Sequence, residues 1–114
     1  MIDLKLTQIG LKLKNLVVLD CTFPKSPFAE FKKIYEPRFV WTPCRQGMAL
    51  EMAGGIASFG KLVVVYGLSE ADLSRLDPTL NVKVLLQSEE GTWDGLEEKL
   101  RSFGPSTLLI PKEV

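Results

Sequence analysis

The sequence contains no histidine, only two cysteines and no excess charge of either sign, and each shortage removes a class of function. Without histidine, imidazole general-base chemistry is excluded. Cys21 and Cys44 alone cannot assemble a zinc site of ordinary type. Fourteen Lys plus Arg balance fourteen Asp plus Glu, so no net field draws the chain to nucleic acid or to an acidic membrane surface. No apolar run approaches the ~20 residues that cross a bilayer. The first residues lack the apolar core of a signal peptide, and two cysteines are too few for a disulfide framework. These absences predict a cytoplasmic protein with neither nucleic-acid nor membrane partners. What is present is 114 residues, 46% hydrophobic and 25% charged, the size and composition of a single domain over 1–114. A domain of this length buries roughly two thirds of its unfolded surface, enough for one core.

The chain divides into short β-branched runs separated by helical patterns, with no internal repeat and no linker. Leu16–Asp20, Arg38–Thr42, Leu62–Tyr66, Val82–Leu86 and Thr107–Ile110 read as strands. The Leu62 run is apolar throughout, as a strand covered on both faces should be. A mostly parallel five-stranded sheet flanked by helices, an α/β three-layer sandwich, is therefore expected. Ile2, Leu4 and Leu6 alternate as in a strand, but Ile2, Leu6, Ile9 and Leu13 fit a helix, the favoured reading. Ser26-Pro27 reads as a second helix start, with Phe28, Phe31 and Tyr35 on one face. Thr42-Pro43 reads as a third, carrying Met48, Met52 and Ile56 at steps of four. Its Gly54-Gly55 pair predicts a close neighbour, because glycine within a helix costs about 1 kcal/mol relative to alanine. Ser69–Asp72 suggests a short helix stopped before Pro78. Thr92 suggests the cap of the last one, with Leu96, Leu100 and Phe103 as its buried stripe.

Ligands of parallel α/β sheets collect beyond the C-terminal strand ends, which directs attention to Asp20, Cys21, Thr42, Cys44, Gly67 and Ser69. Asp20 has no second acidic residue nearby for magnesium and reads as a strand-end cap. No phosphate-cradling glycine loop occurs. Glu89-Glu90 and Glu97-Glu98 read as solvated surface. In Trp41-Thr42-Pro43-Cys44-Arg45, a cysteine in a first helical turn beside an arginine favours thiolate. That run, with Asp77-Pro78-Thr79, also resembles the active-site region of thioredoxins, although the first cysteine of their pair is absent.

From Pro37 to Gly60 the sequence PRFVWTPCRQGMALEMAGGIASFG resembles, without a gap, the pyrimidine-binding domain of transketolases and of the beta subunits of 2-oxoacid dehydrogenase E1 components. Arg38, Phe39, Thr42, Pro43, Ala53, Gly55, Ala57, Gly60 and Lys61 carry the match. Val17–Asp20 resembles that domain's opening strand, and Leu96–Pro111 its last helix and strand. The resemblance implies thiamine diphosphate held between this domain and a separate diphosphate-binding domain. It places Thr42, Gln46 and Leu68 at the cofactor-facing positions.

At the family's proton-exchanging glutamate this chain has Gln46, and an amide does not titrate near neutral pH, so the general-acid/base role is lost. At its cofactor-facing aromatic this chain has Leu68, which offers no stacking surface. The magnesium-binding Gly-Asp-Gly motif of the other domain is absent. The first expectation is therefore a catalytically degenerate pyrimidine-binding-type domain acting as an oligomerisation or binding module, as a homodimer or heteromer. The second is one subunit of a split thiamine-diphosphate enzyme completed by a diphosphate-binding chain. The third is a thioredoxin-like monothiol protein using Cys44. Met48, Met52 and Ile56 are expected in the core or at a subunit interface, and Trp93 as a helix-end anchor.

Overall fold

The β-branched runs become strands because both their faces find cover. A computed structural model describes residues 1–113 and contains β1 (Leu16–Asp20), β2 (Phe39–Trp41), β3 (Leu62–Tyr66), β4 (Val82–Gln87) and β5 (Ser106–Ile110). They form one sheet in the order β2-β1-β3-β4-β5, with every neighbouring pair parallel. β1 and β3 are buried along their whole length. Successive side chains on these strands point to opposite layers. Val18, Val64 and Tyr66 pack under α1 (Ile2–Lys12), α2 (Ala29–Ile34) and α4 (Leu96–Arg101). Leu19, Val63 and Val65 pack under α3 (Gln46–Ala57) and the loop that follows β3. The expected three-layer α/β sandwich is thus present.

Several boundaries differ from those the sequence suggests. The second strand is three residues long, because Glu36–Arg38 forms a 3-10 turn before it. Ser26-Pro27 does not open α2: Ser26 Oγ accepts the Phe28 N–H in a local turn, and the helix begins at Ala29. Its exposed donors are capped from another helix. Asp3 on α1 accepts the Glu30 N–H at 2.8 Å through Oδ2 and the Phe31 N–H at 2.8 Å through Oδ1. Asp3→Ala removes both acceptors and is expected to cost about 2 kcal/mol, read as a lower urea midpoint with an unchanged slope. An unchanged midpoint would mean that water caps α2 equally well.

The third helix starts at Gln46 and not at Thr42-Pro43. Residues Ser69–Asp72 are not helical, since Leu73–Leu76 closes a single turn and the remaining segment before β4 is irregular. Thr92 does not cap α4 either: its hydroxyl accepts the Asp94 N–H, Gly95 precedes the helix, and Phe103 is 75% exposed and not part of a buried stripe. Trp93 packs against the core at the start of α4, with Lys5 Nζ 6.0 Å from its ring centre.

On α3 the face against the sheet is Ala49, Leu50, Ala53 and Ala57, so the helix sits close through its alanines. Met48 is displaced from the core and 59% exposed, while Met52 and Ile56 pack at its margin. The expected crowding at the two glycines is not found within the fold. A methyl group on Gly54 would meet Leu76 and Leu80 at ordinary contact distance, and one on Gly55 would meet nothing within 4 Å.

Arg38 joins three elements. Its Nη2 donates to the carbonyls of Gly10 and Leu13, and its Nε to that of Leu16, all at 2.9 Å. Its guanidinium also lies 4.3 Å from the Tyr35 ring centre. Among the described residues no helix is long and apolar enough to cross a membrane.

Candidate functional site

With strand order 2-1-3-4-5, the chain leaves β1 toward one sheet edge and β3 toward the other, which opens a switch point between their C-terminal ends. The loops after β1, β2 and β3 meet there. Asp20 ends β1 fully buried, and its Oδ1 accepts both the Thr22 N–H (3.0 Å) and the Thr22 hydroxyl (2.7 Å). It is the strand-end cap the sequence suggests, yet its Oδ2 is buried without a partner. The Thr42 N–H donates to the Asp20 carbonyl, and the Trp41 indole donates to that of Thr22. Burial pushes the Tyr66 phenol up to about 12, with Glu113 and Asp20 adding to the shift, so it stays protonated at neutral pH.

Gln46, the first residue of α3, ties the β3–β4 loop to the helix. Its Nε2 donates to Glu70 Oε1 at 3.1 Å, and its Oε1 accepts the Asp72 N–H at 2.8 Å. Between this tie and the end of β3 lies a solvent-open cleft of about 650 Å³, lined by Cys44, Gln46, Met48, Gly67, Leu68 and Glu70 among others. Gln46 and Leu68 thus line one cleft. Thr42 does not line this cleft and is held instead beside Asp20.

The sequence puts both cysteines at the same end of the sheet, and the fold brings them into contact. Cys21, just past β1 and 5% exposed, has its Sγ 3.6 Å from the Sγ of Cys44. Burial pushes the Cys21 thiol up to about 12, with further contributions from contact with Cys44 and from Asp20. Each cysteine follows a strand run, but only strand order decides that β1 and β2 are neighbours and that the two thiols meet. Cys44 lies two residues before α3, not in its first turn. The thioredoxin-like alternative therefore loses its helix and its solitary thiol. Asp77 closes a local turn by accepting the Thr79 N–H and hydroxyl. Among the described residues, no three His, Cys, Asp or Glu side chains are placed to hold a metal ion.

No protein-family model matches the chain, and no curated protein matches it. Among solved structures, it is similar to a split-gene transketolase described as an inactive beta4 tetramer. The TM-score is 0.78 at 17% identity, over 97% of this chain. The chain spans 50% of that protein's length. The likeness establishes the class of fold, a transketolase-like α/β fold.

Proposed function

We propose that this chain is a pyrimidine-binding-type domain of the transketolase fold, working in the cytoplasm as an oligomerisation or binding module and not catalysing by itself. The observation that carries this reading is Gln46, whose amide stands at the head of α3 with both ends engaged by Glu70 and Asp72. For thiamine diphosphate, this donor set does not fit catalysis. The amide does not titrate near neutral pH, so it cannot serve as a general acid or base, and one of its N–H groups and its carbonyl oxygen are already engaged within the chain. Leu68 supplies an aliphatic wall where an aromatic would stack.

A self-association surface is supported by the outer side of α3 and the neighbouring edge of the sheet. Phe59 is 83% exposed and Met48 59%, and a shallow apolar hollow of about 390 Å³ is lined by Val17, Val40, Gly55, Ile56 and Phe59. Gly55→Ala is expected to raise the unfolding free energy of the isolated chain by about 0.5–1 kcal/mol, because nothing in the fold opposes the methyl group. The same variant should weaken self-association if a second copy approaches there. Denaturation at low protein concentration and light scattering at high concentration separate the two effects.

The second reading keeps the cofactor. In it Gln46 and Leu68 face the pyrimidine of thiamine diphosphate, with Thr42 set back beside Asp20, while another chain supplies the diphosphate and magnesium site. The open cleft beside Gln46 and Leu68 favours it. Light scattering and titration calorimetry of the purified protein, with and without thiamine diphosphate and magnesium, test the pair. The module reading expects a multimer of constant mass and no heat of binding. Cofactor-enhanced capture from native extract of a chain bearing Gly-Asp-Gly would instead support the split enzyme and make Gln46→Glu the next variant.

A further inference from the structure

The paired thiols belong to neither reading of the cleft. We propose that Cys21 and Cys44 form a peroxide-sensitive dithiol, which closes reversibly to an intramolecular disulfide at the C-terminal end of the sheet. Three observations assign the parts. The sulfurs are 3.6 Å apart and already in contact. Joining them at the ordinary bond length of about 2.05 Å requires a closure of about 1.5 Å. Pro43, Cys44 and Arg45 lie outside any helix or strand, so this short segment can supply the movement without breaking a ladder. Finally, Cys44 lines the solvent-open cleft whereas Cys21 is 5% exposed, which sets the order of events.

The Cys44 thiolate attacks one oxygen of hydrogen peroxide. A sulfur–oxygen bond forms, the oxygen–oxygen bond breaks, and the departing hydroxide takes up a proton to leave as water. The Cys21 sulfur then attacks the sulfenic sulfur of Cys44. The sulfur–sulfur bond forms, the sulfur–oxygen bond breaks, and the second hydroxide leaves as water with the Cys21 proton. Two thiols lose two electrons in total, and one peroxide is reduced to two waters. Burial shields Cys21 from peroxide and keeps it protonated, so Cys44 is oxidised first, and the 3.6 Å contact makes Cys21 the thiol placed to resolve it. The disulfide would tether the end of β1 to the loop two residues before Gln46, fixing one wall of the cleft.

The test is intact-mass spectrometry of the whole protein after stoichiometric hydrogen peroxide, followed by alkylation in denaturant. The expected product is lighter by two hydrogens, carries no alkyl group, migrates as a single chain without reductant and regains both thiols with dithiothreitol. Cys21→Ser should stop at a Cys44 sulfenic acid that dimedone traps. Cys44→Ser should keep an unmodified Cys21 at the same dose. The proposal is overturned if wild-type protein retains both alkylatable thiols, gains oxygen atoms, or links only between chains. Peptide mapping of the wild-type protein decides the matter even where a serine variant fails to fold.

Discussion

Gly67→Ala is expected to lower the unfolding free energy by about 3 kcal/mol, roughly 10 °C in melting temperature for a domain of this size. Gly67 follows β3 at the switch point with φ of +100°, a region that residues with a Cβ enter only at a cost of about 1–2 kcal/mol. Space is equally restrictive. An added Cβ would stand 2.7 Å from the Thr22 nitrogen, 2.8 Å from its Cγ2 and 2.9 Å from the Cys21 carbonyl carbon. Two of those atoms are backbone just past the end of β1, so relief requires β1 and β3 to part. Because Gly67 and Cys44 line one cleft, the variant should also slow disulfide closure in whatever folded protein remains. The check is a urea melt combined with the peroxide assay. A wild-type midpoint would show that the loop can relax without disturbing the sheet.

Arg38→Ala should cost a similar amount, about 3 kcal/mol, for a different reason. Three carbonyls, from the last turn of α1 and the residues leading into β1, take their hydrogen bonds from this one guanidinium. Each acceptor left without its partner costs about 1–3 kcal/mol where water cannot replace it. Loss of the contact with Tyr35 adds to this. The site is half-buried, which moderates the sum, and the same burial lowers the Arg38 pKa from its ordinary value. Arg38→Lys should recover less than half, since one ammonium cannot fork to three carbonyls and does not stack. Urea midpoints of the two variants, compared at neutral pH, decide between loss of the fork and loss of charge alone. Equal midpoints for lysine and arginine would reduce the residue to a simple cation.

Arg38 also shows how far the sequence can be followed. It was legible as one residue of the stretch resembling a pyrimidine-binding domain, but its partners were not, because Gly10, Leu13 and Leu16 lie more than twenty positions away. The strands were legible for a local reason: β-branched runs such as Leu62–Tyr66 have a period and a length that few other elements share. Helix starts are less legible, because the groups that cap a helix need not be its neighbours in sequence. Ser26 and Thr92 do accept local N–H groups, yet only to close turns, while α2 is capped by Asp3 from another helix. The loop from Leu68 to Asn81 has the charge pattern of a helix start, but the Glu70 carboxylate accepts from Gln46, that of Asp72 closes a local turn on the Ser74 N–H, and the Asp72 N–H donates to Gln46.

The α/β class, the five strand segments, the helical opening segment and the existence of the slim helix were determined by the sequence itself. Each follows from periodicity, from steric preference or from a contiguous stretch of residues. What only the tertiary structure decided is which of these come together. The 3.6 Å meeting of Cys21 with Cys44, the separation of Thr42 from the cleft shared by Gln46 and Leu68, and the exposure of Met48 over the alanine face of α3 all depend on strand order and helix rotation. Those are set by the burial of two opposite faces of one sheet at once, a condition no local window contains.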